Sequence, residues 1–97
     1  MVSLDGRTKV KATHLLSLGA STATVMDVRD VCHYAILDQA RSVVLVHCHP
    51  SGDPKPSPAD VSVTRRVKEA LALLDVMLVD HIILGYTSYS FAAEGQI

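Results

Sequence analysis

The residues of this chain whose types and spacing can do chemistry lie in VVLVHCHPSGDPKPSPAD, residues 43–60: His47, His49, Ser57 and Asp60. In an extended strand, residues two apart point to the same side at a rise of ~3.3 Å per residue. His47 and His49 can therefore present both imidazoles to one point, while Cys48 points away. A short rigid loop leading into a helix can return a third ligand, and Asp60 supplies an anionic oxygen suited to a hard or borderline cation. Two histidines and one carboxylate leave a tetrahedral zinc one ligand short. That is the condition of a catalytic site holding a water, not of a closed structural site. Zinc lowers the pKa of such a water toward ~7, which makes hydroxide available near neutral pH. Ser57 is either a hydroxyl donor to the oxygen of an attacked carbonyl or the N-cap of the helix, two demands on one side chain.

Each of these residues also has a structural reading. The histidines can bond backbone carbonyls, and Asp60 can sit at a helix N-terminus for the sake of the dipole, a role compatible with ligation. The register of Ser57 and Asp60 with the histidine pair favours ligands. Cys48 reads as a small buried apolar residue. His81, which follows Asp80, reads as a strand histidine giving support within the sheet or behind the site. His33 reads as a surface or half-buried position beside a helix stripe. Arg65, Arg66 and Lys68 read as a solvated helix face.

The elements that must position the cluster can be read from periodicity. MVSLDGRTKVKATHLLSL is expected to form two short strands turning at Asp5-Gly6, and a brief strand is expected to include Thr22–Met26. From Asp27, an N-cap residue, Val28, Val31, Cys32, Ala35 and Ile36 form one helical stripe. RSVVLVH is a continuous β-branched and aliphatic run, the pattern of a central strand covered on both faces. Ser57-Pro58-Ala59-Asp60 opens a second helix, with serine at the cap, proline in the first turn and an acidic group facing the dipole. Its buried side is Val63, Val67, Ala70, Leu71 and Leu74. VMLVDHIIL and TSYSFA give two further strands. The alternation predicts an α/β fold, a mixed β-sheet flanked by helices.

At 97 residues the chain is read as a single domain, residues 1–97. Its 48% hydrophobic and 20% charged content is that of a soluble globular protein. No apolar run approaches the ~18 residues of a membrane span, and the N-terminus lacks the features of an export signal. A cytoplasmic location follows as the expectation. Cys32 and Cys48 are too few and too poorly spaced for a disulfide framework or a zinc ribbon. Nine basic against ten acidic residues, a net charge of −1, oppose nucleic-acid binding.

The spacing H47-C-H49, seven residues, then S57-x-x-D60 resembles the JAMM (MPN-plus) metallohydrolase signature, H-x-H-x7-S-x2-D. HCHPSGDPKPSPAD, TRRVKEALALLDVMLVDHIIL and the terminal SYSFAAEGQI resemble its bacterial RadC-like branch over nearly the whole chain. The resemblance implies a cytidine-deaminase-like α/β sandwich, zinc held by His47, His49 and Asp60, and hydrolysis of peptide or isopeptide bonds. Ser57 would assist at the oxyanion. Two departures stand out. Cys48 replaces the asparagine usual between the histidines, and the upstream glutamate that handles the water's proton is missing. Counting back from Gly19 places that glutamate's position at Thr13, and the only glutamates, Glu69 and Glu94, follow the motif. His14 and Asp53 are conceivable substitute bases. The first strand, beginning at Met1, is expected to be short for a core strand, which makes the sandwich short at its N-terminus, and any function lent by the helical region that precedes this domain in many RadC-like proteins is not expected here.

Three functional readings follow. The first is a zinc hydrolase acting on a peptide or protein substrate, weakened by the loss at position 13. The second is a catalytically impaired scaffold that keeps the metal, or merely the fold, and acts by binding a protein partner. The third, association with DNA repair, rests only on the RadC name and is opposed by the charge balance.

Overall fold

The computed structural model describes residues 1–16 and 26–97. Their order is β1 (Val2–Leu4), β2 (Val10–Thr13), α1 (Val28–Leu37), β3 (Ser42–Cys48), α2 (Pro58–Leu73), β4 (Met77–Leu84) and β5 (Ser88–Ser90). The five strands form one sheet in the order β2-β1-β3-β4-β5. β3 and β4 run parallel, and every other neighbouring pair is antiparallel. The fold is α/β with a mixed sheet, as the alternation predicts.

The first turn lies where Asp5-Gly6 marks it but is built differently. The Asp5 carboxylate accepts from the N–H groups of Arg7 (2.7 Å) and Lys9 (3.0 Å), and the left-handed residue is Thr8, at φ 61°. This is an aspartate-organised loop of five residues rather than a two-residue hairpin turn. The strand expected at Thr22–Met26 falls, apart from Met26, outside the described residues, and Met26 itself is not in a strand.

Helix α1 starts as expected, with the Asp27 side chain accepting from the Arg29 N–H at 2.8 Å. Val31 and Ala35 are buried, and Val28 and Cys32 pack at the edge of the core. Ile36, expected on the same stripe, is 61% exposed. At 100° per residue it stands about 140° around the helix from Val31, beyond the arc that the sheet covers. Leu74 likewise leaves the core: it is the C-cap of α2 and 39% exposed.

Among the described residues one cluster holds the fold, including Val31 and Ala35 from α1, Val63, Val67 and Leu71 from α2, Val43 and Leu45 from β3, and Leu78 from β4. Full burial of each valine or leucine contributes about 1.5–3 kcal/mol. Because Val43 and Leu45 alternate onto one side of β3, both helices lie on that face. Val2, Val44, Val46, Ile82 and Leu84 alternate onto the other, where neither described helix packs, and Val46 and Leu84 are 42% and 41% exposed. The expectation of a central strand is met. The expectation of cover on both faces is not met by the described residues, since the two helices share one side.

Candidate metal centre

The strand that carries Val43 and Leu45 into the core carries His47 along the same face, at its C-terminal end. His49, one step further, is still tied to the sheet, because its N–H donates to the Leu84 carbonyl at 2.9 Å. The chain then turns at Gly52, whose φ is +88°. The Gly52 N–H bonds the His49 carbonyl (3.0 Å) and its own carbonyl receives the Tyr86 N–H (2.7 Å). A Cβ at this position would run into the Tyr86 ring, so glycine is required both by conformation and by space.

Helix α2 brings the third residue back through a capping box. The Ser57 hydroxyl oxygen accepts from the Asp60 N–H at 3.0 Å, and Asp60 Oδ2 accepts from the Ser57 N–H at 2.8 Å. The sequence reading had the cap and the dipole but not the reciprocal bond that fixes the carboxylate. Asp60 is 1% exposed. Its Oδ2 lies 3.0 Å from His49 Nε2 and its Oδ1 3.5 Å from His47 Nδ1. The two imidazoles stand perpendicular, their centroids 4.8 Å apart.

His47, His49 and Asp60 thus form a group whose ligand atoms all lie within 4.8 Å of one another, able to hold a metal ion. The donor set fits a cation. His49 Nδ1 lies 2.9 Å from the Asp53 carbonyl, an acceptor only, so this nitrogen carries the proton of the neutral ring. Nε2 then turns a lone pair toward the Asp60 carboxylate. Two electron-rich atoms 3.0 Å apart call for a positive charge between them, either a second proton or a metal ion. Burial would raise the Asp60 carboxyl, but the Ser57 N–H and hydroxyl and the two imidazoles outweigh it and hold the group below the ordinary carboxylate value. Burial lowers His47, assisted by His49 and opposed by Asp60, which favours the neutral ring that a metal needs.

Ser57 is the N-cap, yet capping uses only a lone pair. Its single O–H is left to donate, and the Asp60 carboxylate is the acceptor beside it, so an attacked carbonyl would have to take that proton in competition with Asp60.

Thr13 does not stand where an upstream carboxylate could serve. It pairs with Val2, and Val2 pairs with Val44, which places it on the sheet face opposite His47 and His49. A glutamate at Thr13 would point away from the cluster. His14 is on the cluster's face but is committed elsewhere: its Nε2 lies 2.7 Å from Asp38 Oδ2, its ring stacks on Tyr34 at 4.0 Å, and Ser3 bonds the same carboxylate oxygen at 2.7 Å. The Asp53 carboxylate accepts from the Lys55 N–H at 3.0 Å. Asp53 serves the site by its carbonyl, not as a base. Cys48, expected to be buried, is exposed, because it shares the uncovered face with Val46. His33, Arg65, Arg66 and Lys68 are exposed, as expected.

Two residues that bond the histidine–aspartate group have no place in the motif: Asp53, through its carbonyl on His49, and Thr64, whose hydroxyl donates to the Asp60 carbonyl. The Asp53 carbonyl left no signal, since any residue has one. Thr64 is buried, and its signal was a hydroxyl placed between Val63 and Val67 on an apolar stripe.

A family model described as "RadC-like JAB domain" matches residues 1–96. The chain is 41% identical over 98 residues to a UPF0758 protein of Thermotoga maritima, covering 100% of this chain and 44% of the relative. It is 38% identical over 95 residues to a UPF0758 protein of Geotalea uraniireducens, covering 97% of this chain and 42% of the relative. A UPF0758 protein of Vibrio cholerae is 39% identical over 94 residues, covering 97% and 60% respectively. The chain therefore spans only part of the length of the relatives it matches. On the full-length match and these identities, it belongs to the RadC-like JAB domain family.

Proposed function

We propose that this domain is a zinc-dependent hydrolase of peptide or isopeptide bonds, with the metal held by His47, His49 and Asp60. The observation that carries the reading is the lone pair of His49 Nε2 turned on the buried Asp60 carboxylate at 3.0 Å. The two histidine–Asp60 separations, 3.0 and 3.5 Å, are close to the roughly 3.4 Å between ligand atoms about 2.0–2.1 Å from a tetrahedral zinc, and the group as a whole, spanning up to 4.8 Å, would draw in around the ion. When bound, zinc supplies Lewis-acid polarisation of a carbonyl and acidification of water.

The protein's own contribution is orientation. The Asp53 carbonyl fixes the tautomer of His49, and the capping box fixes the Asp60 carboxylate. The O–H of Ser57, turned from Asp60 to the substrate, is the donor for the oxygen of the substrate carbonyl as it gains charge. Proton transfer is the weak part, because Asp60 is the only carboxylate gathered with the histidine pair among the described residues. General-base assistance is worth ~10²–10⁴ in rate, so a slow enzyme is expected. A metal-binding module that acts by gripping a protein partner is the second reading, favoured by the commitment of His14 to Asp38.

Zinc titration of the purified chain tests the first step: about one zinc per chain, lost in His47→Ala and His49→Ala. A chain that takes up no zinc at saturating metal ends this reading. Hydrolysis of a model isopeptide by the zinc-loaded chain, abolished by His49→Ala, separates the enzyme from the module.

A further inference from the structure

His81 is fully buried on β4, level with Leu45 of β3. Its ring lies flat against Phe91, with centroids 4.8 Å apart and planes 5° apart, and faces the His47 ring at 6.0 Å and 25°. His81 Nδ1 is 2.6 Å from Thr64 Oγ1, and that oxygen is also 2.6 Å from the Asp60 carbonyl. A carbonyl only accepts, so the one proton of the Thr64 hydroxyl goes to Asp60. His81 must then supply the proton of the other bond, as Nδ1–H. Nε2 is left as a lone pair with no partner among the described residues. Burial, with His47 nearby, pushes His81 down to about 4, in keeping with a neutral ring.

The arrangement is costly unless it does something. A hydroxyl on the stripe between Val63 and Val67 occupies a place where valine has the same shape and no polar atom to desolvate. The Asp60 carbonyl also needs no extra donor, since it lies within a helix. What the two bonds achieve is a link from β4 to the first turn of α2 at the residue whose carboxylate meets both histidines. The ring that makes the link is the one that also backs His47.

We propose that His81 and Thr64 are positioning residues for the metal cluster: Thr64, held by His81 Nδ1, sets the place of Asp60, and the His81 ring, backed by Phe91, sets the tilt of His47. This rests on reading His47, His49 and Asp60 as metal ligands. Groups that orient metal ligands typically govern 10–100-fold in affinity.

The test is zinc affinity, measured by competition with a chromophoric chelator, beside thermal unfolding of the metal-free chain. Thr64→Val and His81→Phe are each expected to weaken zinc binding by about 10–100-fold. The double variant should fall well short of the product of the two, because both break one link. Thr64→Ser keeps the hydroxyl and should stay within about threefold of wild type. A purely structural pair would lower the melting temperature and leave the affinity of the folded chain unchanged. Folded Thr64→Val and His81→Phe with wild-type zinc affinity overturn this inference alone, whereas a wild-type chain that takes up no zinc overturns the cluster reading and this inference together. If Thr64→Val does not fold, His81→Phe, which keeps the aromatic stack, decides the question.

Discussion

Substituting Ser57 separates its two proposed duties, because they use different parts of one hydroxyl. As N-cap it accepts from the Asp60 N–H at 3.0 Å. As oxyanion donor it would give its proton. Replacing an N-cap serine by alanine costs about 1 kcal/mol, and by glycine only a few tenths. For a domain of this size, 1 kcal/mol lowers Tm by roughly 4–8 °C. Removing one oxyanion donor costs about 10²–10³ in kcat, whichever residue replaces it. Ser57→Ala and Ser57→Gly should therefore lose hydrolysis about equally while differing in stability, and Ser57→Thr should keep both. Zinc affinity should change by much less than the rate, because the Ser57 N–H, the stronger in effect of the two Ser57 groups that hold the Asp60 carboxylate, belongs to the backbone and survives all three changes. The assay is kcat on a model isopeptide beside thermal melts of the same preparations. If Ser57→Gly keeps near wild-type kcat, or if rates follow stability with alanine the worst, the serine is a cap and nothing more.

Two further outcomes follow from the geometry. Thr13→Glu is expected to change zinc affinity and hydrolysis by less than about twofold, because position 13 faces away from the cluster. His14→Glu, which sets a second carboxylate against Asp38 and removes a stack on Tyr34, should cost about 1–3 kcal/mol in urea unfolding; a gain of hydrolysis in Thr13→Glu would refute the facing. The third outcome concerns pH in the metal-free chain. His81 is lowered from 6.5 to about 4. Between these values the unfolded chain holds the proton and the folded chain does not, so stability rises with pH across this window and is fully present above about 6.5. The shift corresponds to about 3 kcal/mol lost as pH falls from 6.5 to 4. Asp60 and Asp38, whose values are depressed, contribute stability above the ordinary carboxylate range that is lost only as pH falls below it. Urea unfolding from pH 7 to 4 should show the slope in wild type and a flatter one in His81→Phe. Equal slopes would refute it.

Much of the site was legible because its parts are local. The His47-x-His49 alternation, the Ser57-Pro58 start of α2 and the placement of Asp60 in its first turn all depend on neighbours within a few residues. Their convergence on one point follows from a loop too short to go elsewhere. What failed depended on the sheet. Whether position 13 or 14 faces the cluster is a matter of one residue of register, and a one-residue shift reverses a strand's two faces. The burial of Cys48 was misjudged because strand alternation tells that it opposes the histidines, not whether anything covers that side. Ile36 was assigned to a stripe whose width is set by the partner surface. Thr64 and His81 are 17 residues apart and meet only because α2 returns across β4.

The sharing of Asp60 between a helix cap and the cluster has a consequence for motion. The first turn of a helix ordinarily opens and closes at almost no free-energy cost, and such frayed ends exchange their amide hydrogens quickly. Here that opening would draw a buried carboxylate away from two imidazoles and from the Ser57 N–H at once. With a proton or a cation between His49 and Asp60, the start of α2 is latched to the end of β3 rather than free to breathe. Whatever ion settles between the histidines and Asp60 would set how often that latch lifts.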